Sequence, residues 1–144
     1  MDYKKLADLL FPDVRLTKDD LEKMYPERDL PKGAIVTRFA PSPTGFLHIG
    51  SVFTCLVASN FAKKSGGKFI LRIEDTDQNR LIPGAVGLII DGLKRYKIEF
   101  DEGRTGDGKD FGNYGTYQQS LRKPIYKAMA KYLVSIGKAY PCFC

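Results

Sequence analysis

Three patterns follow one another without interruption between residues 34 and 64: a short apolar run, a loop rich in proline and glycine, and an apolar helical pattern. The run at 34–39 predicts a β-strand, and residues 51–64 have the spacing of a helix. A second apolar run covers 68–73, and another helical pattern follows Pro83, a residue that the first turn of a helix accepts. This order predicts an α/β fold with a parallel sheet, flanking helices and right-handed crossovers.

The segments outside this alternation predict mainly helices and one loop. The predicted elements are helices over 3–10 and 120–136, a short helix opened by a capping box at Thr17-Lys18-Asp19-Asp20, and a Gly/Asp-rich loop over 101–115. We therefore divide the 144 residues into an N-terminal helical appendage, 1–33, and a main domain, 34–144.

Charge and cysteine content narrow the class of protein. The net charge of +6 is unevenly spread: residues 1–33 carry −1 and residues 34–144 carry +7, which suits an anionic partner such as a nucleotide or RNA. The chain contains no apolar run long enough for a membrane span and no secretory signal, so we expect a cytoplasmic protein. Its three cysteines are an odd number, which argues against a disulfide framework.

The stretch from Arg38 to Ser51 has the chemistry of a phosphate site. A helix start offers unpaired backbone N–H groups and partial positive charge, and glycines such as Gly45 and Gly50 let a phosphate approach the backbone. His48 is the only histidine in the sequence, and its imidazole can donate to phosphate oxygens as charge builds on them. These residues predict nucleotide chemistry.

Charged side chains lie at the ends of the two predicted strands. Arg38 lies at the end of the first strand, and Glu74, Asp75 and Asp77 follow the second. The carboxyl ends of parallel strands meet at one edge of a sheet, so these groups should lie together with the His48 loop. A carboxylate there can bind an ammonium group, and an arginine fork can bind a carboxylate, as an acidic amino acid requires.

Three motifs in this chain resemble one enzyme family. Ala40-Pro41-Ser42-Pro43-Thr44-Gly45 followed by His48-Ile49-Gly50 resembles the first signature of class I aminoacyl-tRNA synthetases, in its bacterial glutamyl form. Residues 72–77 and the segment 101–120 resemble two further motifs of glutamyl-tRNA synthetases. The resemblance covers 34–144 and implies the first half of a Rossmann-like catalytic domain, truncated at the start of its insertion. The second ATP signature of the family, Lys-Met-Ser-Lys-Ser, is absent.

The resemblance implies ATP-dependent ligation of L-glutamate to tRNA(Glu) through glutamyl-adenylate, with ATP and Mg²⁺ as cofactors, tRNA as partner and no membrane. It assigns glutamate binding to Arg38, Ser42 and Glu74, and catalysis to His48 and Gly50. The ATP-binding residues it implies are Ala40, Pro41, Ser42, Pro43, Thr44, Gly45, His48, Gly50 and Ser51. Cys142 and Cys144 would supply half of a zinc site that only a full-length protein completes. We expect the isolated fragment to be inactive.

Other functions remain open at this level. Glutamyl-queuosine tRNA(Asp) synthetase-like ligases share the first two motifs but generally lack a segment like 101–120. A nucleotidyltransferase would share the pocket around His48 and would have no reason to carry residues 72–77 in this form. A non-catalytic module that binds a nucleotide or tRNA is the third alternative. The sequence also leaves open whether tRNA(Gln) is charged.

Overall fold

The structure, a computed structural model, describes residues 2–142 and contains two compact units. One unit runs from Glu27 to Ser120, and the other combines the residues up to Pro26 with those from Leu121 onward. The helices and strands in chain order are α1 Tyr3–Leu10, α2 Lys18–Met24, β1 Val36–Phe39, α3 Ile49–Ser65, β2 Lys68–Leu71, α4 Ala85–Arg95, β3 Glu102–Arg104, β4 Asp110–Phe111 and α5 Lys123–Ser135. The predicted division into an appendage, 1–33, and a main domain, 34–144, remains a prediction.

The larger unit is built on a four-stranded sheet in the order β1-β2-β3-β4. β1 pairs with β2 and β2 pairs with β3 in parallel, which confirms the predicted parallel arrangement of the first two strands. β4 differs from the expectation, because it runs antiparallel to β3 as the second arm of a short hairpin. Flanking helices on a largely parallel sheet make this unit a Rossmann-like α/β fragment.

α3 connects β1 to β2, and its two ends are set by local chemistry. His48 caps its N-terminus, since the backbone N–H of Ser51 donates to the imidazole Nδ1 at 3.3 Å. Gly66 ends it in the left-handed conformation with φ +70°. A Cβ at Gly67 would lie 1.9 Å from the carbonyl oxygen of Ile35, so only glycine lets the chain turn there into β2.

The hydrophobic core of this unit lies between the sheet and the two helices α3 and α4. Cys55 is fully buried on α3, as its apolar surroundings in the sequence predict. Burial raises the pKa of the Cys55 thiol to about 12, so it stays protonated and behaves as a small apolar residue. The other buried core residues are Val52, Ala62, Phe69, Leu71, Ile73, Ile89, Ile90, Leu93 and Ile98.

The segment 101–115 was predicted to be a loop, and that prediction is wrong in part, because it contains β3 and β4. Gly103 reads as a loop signal in the sequence, yet a Cβ there would lie 2.6 Å from the carbonyl oxygen of Leu71. Its missing side chain is what lets β3 approach β2.

A buried ion pair holds β3 to the start of the same unit. The Arg28 guanidinium contacts both carboxylate oxygens of Glu102, with Nη2 2.8 Å from Oε2, and it lies 3.7 Å from the ring centroid of Tyr114. The Tyr117 hydroxyl donates to the same carboxylate at 2.6 Å. Glu102 is only 7% exposed, so these partners compensate a charge that has lost most of its water.

The smaller unit contains α1, α2 and α5. The predicted capping box is confirmed: the Asp20 backbone N–H donates to the Thr17 hydroxyl at 3.1 Å, and the Thr17 N–H donates to the Asp20 carboxylate at 3.0 Å. Lys131 on α5 donates to the backbone carbonyls of Phe11 and Val14 and pairs with Asp8 at 2.8 Å. One lysine thus joins α5 to the turn that follows α1.

Candidate functional site

The ends of β1 and β2 place Arg38 and Glu74 together, as predicted. Arg38 lies opposite Ile70 in the parallel register, so residues two and four positions beyond Ile70 point to the same face as Arg38. The pairing continues past the strands, with the Glu74 N–H donating to the Pro41 carbonyl at 2.9 Å. Nη2 of Arg38 lies 3.4 Å from Oε1 of Glu74.

A second arginine, Arg72, belongs to this cluster, and it was not predicted from the sequence. Nη2 of Arg72 donates to the same oxygen of Glu74, Oε1, at 3.0 Å. The signal was present in the sequence, because Arg72 and Glu74 are two residues apart in an extended segment and therefore share a face. The cluster carries two positive charges and one negative charge, and its net positive charge favours an anionic group of a ligand.

His48 lies at the N-terminus of α3 and is exposed to solvent. Its Nε2 lies 3.0 Å from the hydroxyl oxygen of Ser51, and its Nδ1 accepts from the backbone of the same residue. The imidazole is thereby held against the first turn of the helix. The backbone N–H groups in the first turn of α3 and the helix dipole add partial positive charge at this position.

Gly50 gives the imidazole the space it occupies. A Cβ at this position would lie 3.1 Å from both Cε1 and Nδ1 of His48, a distance at which the ring would have to shift. The glycine of the His-x-Gly pattern therefore allows the ring to occupy its observed position, because it has no side chain to displace the ring.

A cleft of about 360 Å³ opens beside the His48 loop. Its lining includes seven of the residues predicted to bind ATP, namely Ala40, Pro41, Ser42, Thr44, Gly45, His48 and Ser51, together with Phe39, Phe46, Leu47 and Ile89. Two predicted residues do not line it. Pro43 is buried and lines a neighbouring cleft, and Gly50 acts through the ring of His48.

Asp75 is buried and joins two of the motifs. Its carboxylate accepts from Nε2 of Gln118 at 2.6 Å, from the Ser120 hydroxyl at 2.6 Å and from the Ser120 N–H at 2.8 Å. Burial raises the pKa of this carboxyl, but the hydrogen bonds from Ser120 and Gln118 outweigh burial, so its pKa lies below the ordinary value. Asp75 thus acts as a structural clamp, and it leaves the adjacent Glu74 to face the site.

Replacing Asp75 with alanine should lower the free energy of unfolding by about 2 to 3 kcal/mol, because the partly buried donors of Gln118 and Ser120 lose their buried acceptor. Urea unfolding of this chain, followed by circular dichroism, measures the change. Asp77→Ala is the matched control, since Asp77 lies in the same segment and pairs with the well-exposed Arg80. Equal shifts of the unfolding midpoint in the two variants would contradict the role of Asp75 as a clamp.

Of the two cysteines predicted to form half of a zinc site, one lies within the described residues. Cys142 is exposed, whereas Cys144 lies outside the described residues. Within residues 2–142, no group of three or more His, Cys, Asp or Glu side chains is arranged to hold a metal ion. The helices of the same part of the chain include none that is long and apolar enough to cross a bilayer.

Comparison with known proteins shows the family of this chain. Residues 34–144 match the family described as tRNA synthetases class I (E and Q), catalytic domain. The chain belongs to this synthetase family. A glutamate–tRNA ligase of Acetivibrio thermocellus is 52% identical over all of this chain, and one of Clostridium perfringens strain 13 is 49% identical over 99% of it. The chain spans 26% of the length of each of these two synthetases.

Solved structures of synthetases agree with the fold. The crystal structure of glutamate-tRNA synthetase from Elizabethkingia anophelis superposes with a TM-score of 0.64 at 42% identity, covering 70% of this chain and 20% of that one. A glutamate tRNA ligase from Elizabethkingia meningosepticum, solved in complex with its amino acid, gives a TM-score of 0.62 at 44% identity, over 69% of this chain and 19% of that one. The shared region therefore corresponds to a class I catalytic domain.

Proposed function

We propose that this chain carries the glutamate site and part of the ATP site of a ligase that joins L-glutamate to tRNA(Glu) through glutamyl-adenylate. The observation that carries the proposal is the pairing of Arg38 with Glu74 at the sheet edge, in a unit where His48 caps a helix beside an open cleft. Membership of the class I E and Q synthetases supports it. The relatives of this chain are about four times its length, so the complete reaction requires residues beyond these 144.

Glutamate has one ammonium and two carboxylate groups, and the cluster offers complements for two of these three. The side chain of Arg38 is 44% exposed, so its guanidinium is accessible to bind the side-chain carboxylate of the substrate in a two-pronged contact. The carboxylate of Glu74 binds the ammonium group. Ser42 is exposed in the cleft lining, where its hydroxyl can donate to a substrate oxygen.

The loop from Ala40 to Ser51 holds ATP. The first step forms a bond between the α-carboxylate oxygen of glutamate and the α-phosphorus, and it breaks the bond to pyrophosphate. His48 and the N–H groups at the start of α3 stabilise the charge that accumulates on the phosphate oxygens, which needs positioning and electrostatics but no covalent nucleophile on the protein. Mg²⁺ generally binds through substrate phosphates with few protein ligands, so we assign it no side chain of this chain.

In the second step, the terminal ribose hydroxyl of tRNA attacks the carbonyl carbon of the adenylate, and AMP leaves. The charge of +7 over residues 34–144 supports a polyanionic partner such as tRNA. We further propose that residues 34–144 are the first half of the catalytic domain, that residues 1–33 are appended to it, and that the enzyme is cytoplasmic. A zinc site completed beyond Cys144 remains part of this proposal.

The proposed function is tested by ATP–pyrophosphate exchange, in the presence of tRNA, with the full-length enzyme that contains this chain. We expect exchange that depends on L-glutamate and transfer of the glutamyl group to tRNA(Glu). Exchange without glutamate, or transfer only to a queuosine-containing tRNA(Asp), would overturn the proposal in favour of a nucleotidyltransferase or of the glutamyl-queuosine type of ligase. The isolated 144-residue chain should support little or no aminoacylation.

Replacing Arg38 with alanine should raise the KM for L-glutamate by at least about tenfold and leave the KM for ATP nearly unchanged, because the guanidinium contacts only the amino-acid substrate. Steady-state exchange kinetics, with each substrate varied in turn, measures both values. Arg95→Ala serves as control, since Arg95 is an exposed arginine in the last turn of α4. Equal increases in the two KM values of Arg38→Ala would argue against contact with the substrate carboxylate.

A further inference from the structure

The carboxylate of Glu74 is held asymmetrically. Both of its arginine partners reach the same oxygen, Oε1, with Arg72 at 3.0 Å and Arg38 at 3.4 Å. Within residues 2–142, no hydrogen bond involves the other oxygen, Oε2. One oxygen of Glu74 is therefore committed to the protein, and the other retains its capacity to accept from a ligand.

The two arginines differ in how firmly they are held. The Arg72 side chain is 19% exposed against 44% for Arg38, and the Nε of Arg72 is fully buried. The backbone N–H of Arg72 also donates to the Phe39 carbonyl at 3.0 Å, which fixes its position on the sheet. Water competes less for a buried contact, so Arg72 is the stronger and more permanent partner of Glu74.

We infer that Arg72 is a positioning residue for substrate recognition: it holds Oε1 of Glu74, so that Oε2 binds the substrate ammonium and Arg38 is left for the substrate carboxylate. This inference rests on the proposed function. Without Arg72, Glu74 and Arg38 would neutralise each other, and each would have to be separated from the other before glutamate could bind. Arg72 itself touches no part of the substrate in this scheme and acts through Glu74.

The test is exchange kinetics on Arg72→Gln in the full-length enzyme with tRNA present. We expect the KM for L-glutamate to rise about tenfold or more, because a charge-assisted hydrogen bond is lost, and the KM for ATP to stay constant. Arg72→Lys should recover part of the loss, since an ammonium group can also donate to Oε1. An unchanged KM for glutamate in Arg72→Gln would overturn the inference.

A double-variant cycle separates an effect through Glu74 from a general structural effect. In the Glu74→Gln background, adding Arg72→Gln should leave the KM for glutamate within about twofold, since the carboxylate that Arg72 positions is already gone. The same increase in both backgrounds would show that Arg72 acts independently of Glu74 and would overturn the inference. Wild-type exchange that does not respond to glutamate would instead refute the proposed function itself.

The chain offers a matched control for burial and ion pairing. Arg104 is 18% exposed and pairs with Asp110 at 3.0 Å, nearly the same values as for Arg72 and Glu74. Arg104→Gln should therefore lower stability about as much as Arg72→Gln does, as urea unfolding measures, without changing the KM for glutamate. A parallel rise of this KM in Arg104→Gln would mean that loss of any such ion pair is sufficient, against a specific role for Arg72.

Discussion

Replacing His48 with alanine should slow formation of glutamyl-adenylate by about 10²–10³-fold, the effect typical of losing one preorganised donor to a developing oxyanion. The reason is local, since the imidazole is held against the first turn of α3 by contacts with Ser51, where the helix dipole already favours negative charge. Burst or steady-state ATP–pyrophosphate exchange in the full-length enzyme measures the change, with ATP and glutamate both saturating.

His48 also caps α3, so the chemical role has to be separated from the structural one. His48→Ser is the control, because a serine at this position can still accept from the Ser51 N–H but cannot reach a phosphate. We expect His48→Ser to unfold at nearly the same urea concentration as the wild type and to be as slow as His48→Ala. If His48→Ser restores exchange to the wild-type rate, the histidine acts only as a cap.

Replacing Arg28 with methionine should lower the free energy of unfolding by about 3 to 5 kcal/mol, because the change leaves the buried carboxylate of Glu102 without its countercharge. Chemical denaturation of this chain at neutral pH measures the loss. A second substitution, Glu102→Gln, should restore part of it, since the unpaired buried charge is then gone. Lys68→Met, which breaks the exposed pair with Asp101, should change stability little.

This ion pair also predicts how stability depends on pH. The hydrogen bond from Arg28 lowers the pKa of Glu102, burial acts in the opposite direction, and the Tyr117 hydroxyl lowers it further, so the pKa lies below its ordinary value of 4.5. The contribution of ionised Glu102 to the free energy of unfolding is therefore complete above about pH 4.5, and it is lost as the pH falls through the folded-state pKa. In Arg28→Met burial is no longer opposed by the guanidinium, so the folded-state pKa of Glu102 rises and less stability should be lost as the pH falls. An unchanged acid-unfolding profile in Arg28→Met would contradict this role of the guanidinium.

The pairing of Arg38 with Glu74 could be predicted because it follows from chain order alone. Two strands joined by one helix run parallel, and their last residues must meet at one edge. Arg72 was missed although it lies on the same face as Glu74, because its contact with Oε1 depends on a side-chain conformation that periodicity does not specify. The burial of Asp75 was likewise outside the reach of the sequence, since its partners Gln118 and Ser120 are more than forty residues away.

The inward faces of the helices were predicted less well than their positions. The spacing of apolar residues over 120–136 predicts one helical face that includes Leu133 and Ile136. In the structure both are exposed, and Ala128 and Val134 are buried instead. Apolar residues occur on more than one side of this helix, so periodicity alone does not identify which face is buried. The surface packed against α5 then selects among them.

The sequence by itself determined the alternation of strands and helices, the capping box at Thr17, the edge at which the charged groups collect and the family to which the chain belongs. These depend on hydrogen bonds and periodicity within a few residues, or on the order of elements along the chain. Only the tertiary structure decided that Gly103 lies in a strand, that Arg28 neutralises Glu102 and that two arginines hold one oxygen of Glu74. Each of these features depends on a side-chain conformation or on a contact between distant segments, which packing sets and no local pattern encodes.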